Sequence, residues 1–516
     1  MSCMRTALIA CAGLVLCLGT RAQDEEEPGE PGDLIQESSS RGLVTRGEAS
    51  LPGYTLVGPL QSRSVHLVDH AGEAVHSWTT STYGPGGGCY LEDNGHLLRC
   101  GRVDDNPRFH GGGIGGVIEE FDWDGNLVWS YTVMDEYQTQ HHDMERLPNG
   151  NVLVIAWEHL SPPEVRGFGR DPAAIGGEGL WPDAVLEIRP TLPEGGEVVW
   201  EWHAWDHLIQ DFDASLPYHG SIPKEPGKLD INYDHRDRPA QTEEQRLAEE
   251  QLHDEMRALG YIGGEDDEEA EDDDGGGPQG ALGRDDPARR PDWMHTNGVA
   301  YHPGLDLIAL SSPELCEVFV IDHSTTTEEA ASSGGGRYGR GGELLWRWGN
   351  PRNYGLGDEA DQRLFYQHDP TWVDTDAGPG LLLFNNGGGQ PDSETSTVEL
   401  LLLPFEADRG FVREAGQPFG PAEPAWSYSA TEAYSSSFIS GAQRLPNGNT
   451  LICAGAPGRI YEVTPDGALV WDYLNPYGGD LPPSAQAGGA PTNALFRAYR
   501  FAADHPAVSR LGAAGR

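Results

Sequence analysis

The chain has 516 residues, 82 acidic against 34 basic, for a net charge of −48. A surface that negative repels nucleic acid and anionic membranes, so neither is expected as a partner, and an anionic substrate would need local positive charge at its site. The length is enough to bury a large core without a disulfide framework.

The first residues read as an address. Arg5 precedes the apolar run Thr6 to Leu18, and Thr20-Arg21-Ala22 has the small-x-small pattern of a cleavage site, so residues 1–22 are expected to be a signal peptide. The run is too short to span a bilayer and no later stretch is long and apolar enough. The expectation is an exported protein, periplasmic or secreted, with no membrane span. Residues 23–46 are polar and read as a loosely held segment. Cys89, Cys100, Cys316 and Cys453 remain beyond the leader. Cys89 and Cys100 flank the hairpin-like Asp93-Asn94-Gly95, but buried free thiols are the expected state.

A phrase then recurs down the chain: turn, aliphatic strand, gap, aliphatic strand, Asp/Gly turn, and a strand ending in Trp. Leu147-Pro148-Asn149-Gly150-Asn151-Val152-Leu153-Val154 is nearly duplicated by Leu445-Pro446-Asn447-Gly448-Asn449-Thr450-Leu451-Ile452. Phe121-Asp122-Trp123-Asp124-Gly125-Asn126-Leu127-Val128-Trp129 returns as Glu462 to Trp471. Asn-Gly and Asp-Gly supply the positive φ of tight hairpin turns. One copy cannot bury both faces of its sheet, so copies must stack. Terminal tryptophans at 78, 129, 200, 346, 426 and 471 mark six units. The expected fold is all-β, a six-bladed β-propeller over residues 47–480 with loop insertions, leaving 481–516 as a C-terminal tail.

The largest insertion, 203–291, contains a predicted helix over roughly 242–259 and the acidic run Glu265 to Asp274 before Gly275-Gly276-Gly277. The run reads as a disordered insertion. Calcium is the alternative partner there, although the spaced glycine and closing glutamate of an EF-hand are missing. A second insertion spans Ser324 to Gly342.

Three units open with a histidine phrase: Gln140-His141-His142-Asp143, Met294-His295-Thr296-Asn297 and Gln367-His368-Asp369-Pro370. First strands of propeller blades line the central channel, so these phrases converge on one axis. By counting, His295 aligns with His141 and His368 with His142, a register uncertain by one residue, which in a strand flips the face. A lone His beside Asp in a turn is ordinarily a structural hydrogen-bond partner; three at one repeat position point to function. Converging imidazoles either bind a transition metal or act on an anion, one attacking while others, protonated, hold developing charge. His66, His203, His219 and His323 read as surface or packing residues.

Asp292-Trp293-Met294-His295-Thr296-Asn297, Glu317 to Thr327, Arg337-Tyr338-Gly339, Leu345-Trp346-Arg347-Trp348-Gly349-Asn350-Pro351 and Gln367-His368-Asp369 together resemble the arylsulfotransferase (aryl-sulfate sulfotransferase) family. The resemblance runs from about His141 to Trp471. It implies a periplasmic six-bladed propeller that moves a sulfuryl group from an aryl sulfate to a phenol without a nucleotide donor or other cofactor, through a sulfurylated histidine. Carried over, His368 is the nucleophile, and His295 with His141 or His142 stabilises the sulfuryl oxygens or the departing phenolate. Asn297, Asp369, Arg347 and Arg363 are the candidate substrate-binding residues, with Arg352 a further arginine in reach by sequence. One departure stands out: an arginine of the family falls at Pro313, and losing a guanidinium fork that matches an oxyanion is not conservative. The competing readings are a non-catalytic binding or scaffold propeller and a metal-dependent hydrolase on the same ring; no metal ligands are assigned. No Gly-x-Ser-x-Gly, Walker-type loop or dinucleotide fingerprint occurs in the globular part.

Overall fold

The hairpin chemistry of the repeat builds the blades directly. Gly150 and Gly448 take φ of 88° and 87° at the ends of the two Pro-Asn-Gly turns, where a side chain would be strained. The computed structural model describes residues 41–79, 81–234, 290–390, 395–478 and 493–515. The predicted signal peptide, the helix at 242–259 and the acidic run all lie outside the described residues.

Six antiparallel sheets form the propeller, five of four strands and one of five. In the second blade the strands are Gly84–Leu91, Leu97–Arg102, Gly116–Phe121 and Leu127–Thr132; in the third, Gln138–Arg146, Val152–Glu158, Asp183–Pro190 and Gly196–His203. The fourth comprises Gly298–His302, Leu307–Ser312, Glu317–Asp322 and Trp346–Trp348, and the fifth His368–Thr375, Gly378–Asn385, Thr397–Leu402 and Trp426–Ser429. The sixth comprises Ser440–Arg444, Thr450–Ala454, Arg459–Val463 and Leu469–Leu474. First strands touch those of the neighbouring blades all the way round, which places them at the axis.

Two boundary expectations are corrected by the first blade and the last. The tail at 481–516 supplies Leu495–Ala502, which pairs with Gly53–Pro59 and serves as the innermost strand of the first blade, ahead of Val65–Asp69 and Ala74–Trp78. Gly42–Arg46, expected in the loose segment 23–46, pairs with Leu469–Leu474 as a fifth strand on the outer edge of the sixth blade. Early and late segments of the chain thus interlock, which pairs backbone edges that an open ring would leave exposed.

Apolar cores fill the seams between blades: Leu98, Ile118, Met144 and Val154 between the second and third, and Leu382, Phe384, Ile452 and Tyr461 between the fifth and sixth. The repeated tryptophans do a second job. Each indole N–H donates into the turn between the third and fourth strands of the next blade: Trp78 to Asp122 O, Trp129 to Gly195 O, Trp200 to Thr325 Oγ1, Trp346 to Gly420 O, Trp426 to Pro465 O and Trp471 to His70 O. A buried Trp needs a partner for its N–H, and here the partner is always the neighbouring blade.

The described part of the large insertion packs on this frame. Leu208, Leu229 and Ile231 share a core with Trp293 and Met294, and Tyr233 Oη donates to Trp293 O at 3.0 Å, so the insertion buttresses the segment that carries His295.

Candidate functional site

The first strands do not run regularly past the axis. In the third blade His141 pairs with Ile155 and pairing resumes at Met144 with Val154; in the fifth, His368 pairs with Phe384 and pairing resumes at Thr371 with Leu382. Such bulges re-aim side chains beside functional sites. They also correct the alignment made by counting. His368 matches His141 in the ladder, whereas His142, His295 and Asp369 share a left-handed backbone, with φ of 51°, 51° and 56°.

His142 and His295 meet edge to face, ring centroids 4.5 Å apart. His141 lies behind them, stacked at 4.1 Å on Trp157, with its Nδ1 2.7 Å from His142 Nδ1 and its Nε2 3.3 Å from Asp183 Oδ1. His142 is therefore the member of the pair that joins the cluster. The loop before the third strand of the second blade presses on it: a Cβ on Gly113 would lie 2.2 Å from His142 Nε2, so only glycine fits. His368 Nδ1 is 2.8 Å from Asn386 Oδ1 and 3.0 Å from Tyr366 O. Both are acceptors, so Nδ1 carries the proton and Nε2 keeps its lone pair.

The three imidazoles differ in charge. His295 Nδ1 is hydrogen-bonded to Asp292, whose other oxygen accepts from Trp157 Nε1 at 3.0 Å. Burial opposes charge on His295, yet the Asp292 carboxylate, with Glu314 and Asp183 further off, raises it to about 9. Burial lowers His368 to about 3; its bonds to Asn386 and Tyr366 O oppose the shift, and the charges of Arg497 and His295 reinforce it. Burial, followed by His295, His141, His368 and Arg497, holds His142 well below the usual imidazole range. At neutral pH the site pairs one imidazolium with two neutral rings. His295 is partly exposed while His142 is fully buried, so solvent reaches the cluster on the side of His295.

The other candidate residues divide. Asn297 donates from Nδ2 to Gln367 O at 2.9 Å and leaves Oδ1 buried without a partner. Asp369 accepts from Tyr499 Oη at 2.8 Å and from Ala442 N at 3.1 Å. That contact leaves room only for glycine at position 441 of the sixth blade, since a Cβ there would sit 2.3 Å from Asp369 Oδ2. Arg347 is not at the site. It is buried in the outermost strand of the fourth blade, where Nε donates to Glu317 Oε1 at 2.8 Å and its guanidinium lies over Tyr354. Arg363 is on the surface beside Glu423, 3.3 Å away, also outside the cluster. Pro313 begins a turn between the second and third strands of the fourth blade, closed by Cys316 N to Pro313 O at 2.9 Å; this turn brings Glu314, an acid, toward His295.

The arginine at the axis is Arg497, on the closing strand. It contacts Asp143 at 2.6 Å and lies near His142 and His368. It escaped detection because the last strand follows the final Trp of the repeat and carries none of its turn signals. Asp143 had a visible signal, the His-Asp pair shared by His142-Asp143 and His368-Asp369. Among the described residues the four cysteines, Cys89 and Cys100 included, are free thiols. Among the described residues no group of three or more His, Cys, Asp or Glu is arranged to hold a metal ion.

The Arylsulfotransferase (ASST) family model matches residues 59–467. Among curated proteins, no relative matches the chain. Solved structures resemble it distantly. A protein of unknown function from Bacteroides caccae is 12% identical, with 82% of this chain and 93% of that one covered and a TM-score of 0.38. The β-propeller domain of Myceliophteria thermophila Cps50 (Swd1) is 9% identical, with 85% and 91% covered and a TM-score of 0.35. A periplasmic gluconolactonase from Pseudomonas aeruginosa is 11% identical, with 84% and 99% covered and a TM-score of 0.35. At these scores none of the three bears on function.

Proposed function

The chain belongs to the arylsulfotransferase family, and from that premise we propose that it transfers a sulfuryl group from an aryl sulfate to a phenolic acceptor, without a nucleotide donor, through a sulfurylated His368. The observation that carries this reading is the contrast between His368, neutral with Nδ1 occupied and Nε2 available, and His295, an imidazolium beside it. His368 Nε2 attacks sulfur and the S–O bond to the aryl group breaks, its electrons leaving on the phenolate oxygen. The His295 imidazolium gives that oxygen its proton. Once the first phenol has left, an acceptor phenol gives its proton back to His295 and attacks sulfur. The N–S bond breaks, and neutral His368 and a new aryl sulfate result. His142 and the His295 charge supply the contacts to the sulfuryl oxygens, the donors a trigonal-bipyramidal sulfur needs.

The family supports arylsulfotransferase activity in general terms; the choice of nucleophile and of substrates is the present proposal. An exported setting belongs to the same reading, on the strength of the leader-like residues 1–22. The test is incubation of the mature protein with 4-nitrophenyl sulfate, with and without phenol, followed by peptide mass spectrometry of acid-sensitive adducts. Phenol-dependent nitrophenol release with a sulfuryl adduct on the peptide containing His368 is expected. Release with no adduct on that peptide, or an adduct on His142 or His295, would overturn the assignment. A release that a chelator abolished would favour the metal-dependent hydrolase instead.

A further inference from the structure

Arg497 arrives at the axis from the end of the chain, 354 residues from Asp143. Its Nη1 donates to Asp143 Oδ2 at 2.6 Å and to Tyr90 Oη at 2.8 Å, and its Nη2 to Asn297 O at 2.6 Å. Its Nε lies 3.3 Å from Asp369 Oδ1. One side chain of the first blade thus reaches the second, third, fourth and fifth. The sixth is joined through Asp369, which accepts from Ala442 N, and the third is tied again to the fourth by Val299 N donating to Asp143 Oδ2 at 2.9 Å. The points of contact are not arbitrary. Asp143 follows His142, Asp369 follows His368, and Asn297 lies two residues after His295.

We propose that Arg497 is a positioning residue for sulfuryl transfer: carried in by the ring-closing strand, its guanidinium contacts a residue one or two positions after each of the three histidines and sets the imidazoles in their working arrangement. This rests on the reading of those histidines as the reacting groups. The planar fork explains why arginine is used. Its guanidinium faces four blades at once, whereas an ammonium offers one compact charge. The bulges add to the argument, because residues in irregular backbone hold their aim only when something outside the ladder braces them.

The charges make the role measurable. Arg497 faces Asp143, Asp369, Tyr90 and Tyr499, with Glu145 further off. His142 faces His141, His295, His368 and Arg497; His368 faces Asn386, Tyr366 O, His295 and Arg497. Removing the guanidinium therefore takes a positive charge from both rings and leaves two buried carboxylates uncompensated beside them. Each change favours protonated imidazole. A protonated His368 has no lone pair with which to attack sulfur.

The experiment uses the full mature chain with Arg497→Gln and Arg497→Lys, far-UV circular dichroism to check folding, and 13C-histidine labelling to follow imidazole titrations. His142→Gln and His368→Asn assign the two resonances. In Arg497→Gln the His142 and His368 titrations are expected to move up by about one pH unit or more, and the acid limb of kcat/KM on 4-nitrophenyl sulfate to move up with them. Arg497→Lys is expected to leave the titrations near their original values while kcat falls about tenfold with KM little changed, since charge is kept and the fork is lost. A folded Arg497→Gln protein with unchanged titrations would overturn the proposal. So would failure of both variants to fold, which would make Arg497 a strut of the ring and nothing more. The titrations need no turnover, so an inactive parent protein would count against the proposed reaction and leave the Arg497 result to be read separately.

Discussion

The rim and the axis of this propeller are built on opposite rules. At the rim six blades repeat one device, a fourth-strand tryptophan whose indole N–H reaches the next blade's outer turn. At the axis the first strands and the segments that lead into them carry unlike residues: Arg497, His142, His295, His368 and Gly441. Repetition serves closure, because every seam poses the same packing problem. Reaction needs asymmetry, since a nucleophile, an acid and a clamp cannot be one residue copied six times. The departures from the repeat are therefore where chemistry should be sought.

That contrast can be broken from either side. The largest effect is expected at the axis: His368→Asn should lower phenol-dependent transfer by about 10³-fold or more, as loss of a nucleophile does, with the chemical denaturation midpoint within experimental error of the parent. Equal losses of activity and stability would show that His368 belongs to the frame. At the rim, Trp471→Ala should cost about 3–5 kcal/mol of stability, measured by denaturant unfolding, because Trp471 joins the sixth blade to the first and is stacked by Arg500. Its folded fraction should keep the parent kcat; a lower kcat would mean that rim and axis are coupled.

Asp292→Asn sharpens the comparison within the site. Without the carboxylate, His295 falls from about 9, so the alkaline limb of kcat/KM should move toward neutral pH and the rate at pH 8 should drop about tenfold or more. The sign extends to stability. A raised imidazole contributes stability that is fully present below its ordinary value near 6.5 and is lost as pH rises through about 9. The parent should therefore lose stability relative to Asp292→Asn across that interval, and parallel pH–stability curves for the two proteins would remove the imidazolium from the account. The smallest effect is reserved for Arg363→Ala, expected to change stability by less than about 0.5 kcal/mol and transfer by less than about twofold, as its place beside Glu423 on the surface requires.

The convergence of the candidate histidines was legible in the chain. The phrases holding His142, His295 and His368 open three units, and each is followed within two residues by the side chain or carbonyl that Arg497 grips. Two candidates failed for an identifiable reason. Arg347 and Arg363 sit in stretches that match the family closely, yet sequence nearness to a motif carries no direction: Arg347 turns to Glu317 in the outermost strand, and Arg363 to Glu423 in solvent. Asp292 and Asn386, which set the charge of His295 and the tautomer of His368, stand 3 and 18 residues from their histidines. The first is a loop contact and the second a cross-strand one, and neither follows from a repeat.

The sequence by itself determined the number of blades, the places of the turns and which units would bring a histidine to the axis, since hairpin chemistry and strand alternation are local. Tertiary structure alone decided that His142 and not His141 joins the cluster, because a bulge changes which side chain turns inward. It alone decided that an arginine, Arg497, joins the histidines at the axis, because the closing strand brings together residues hundreds of positions apart.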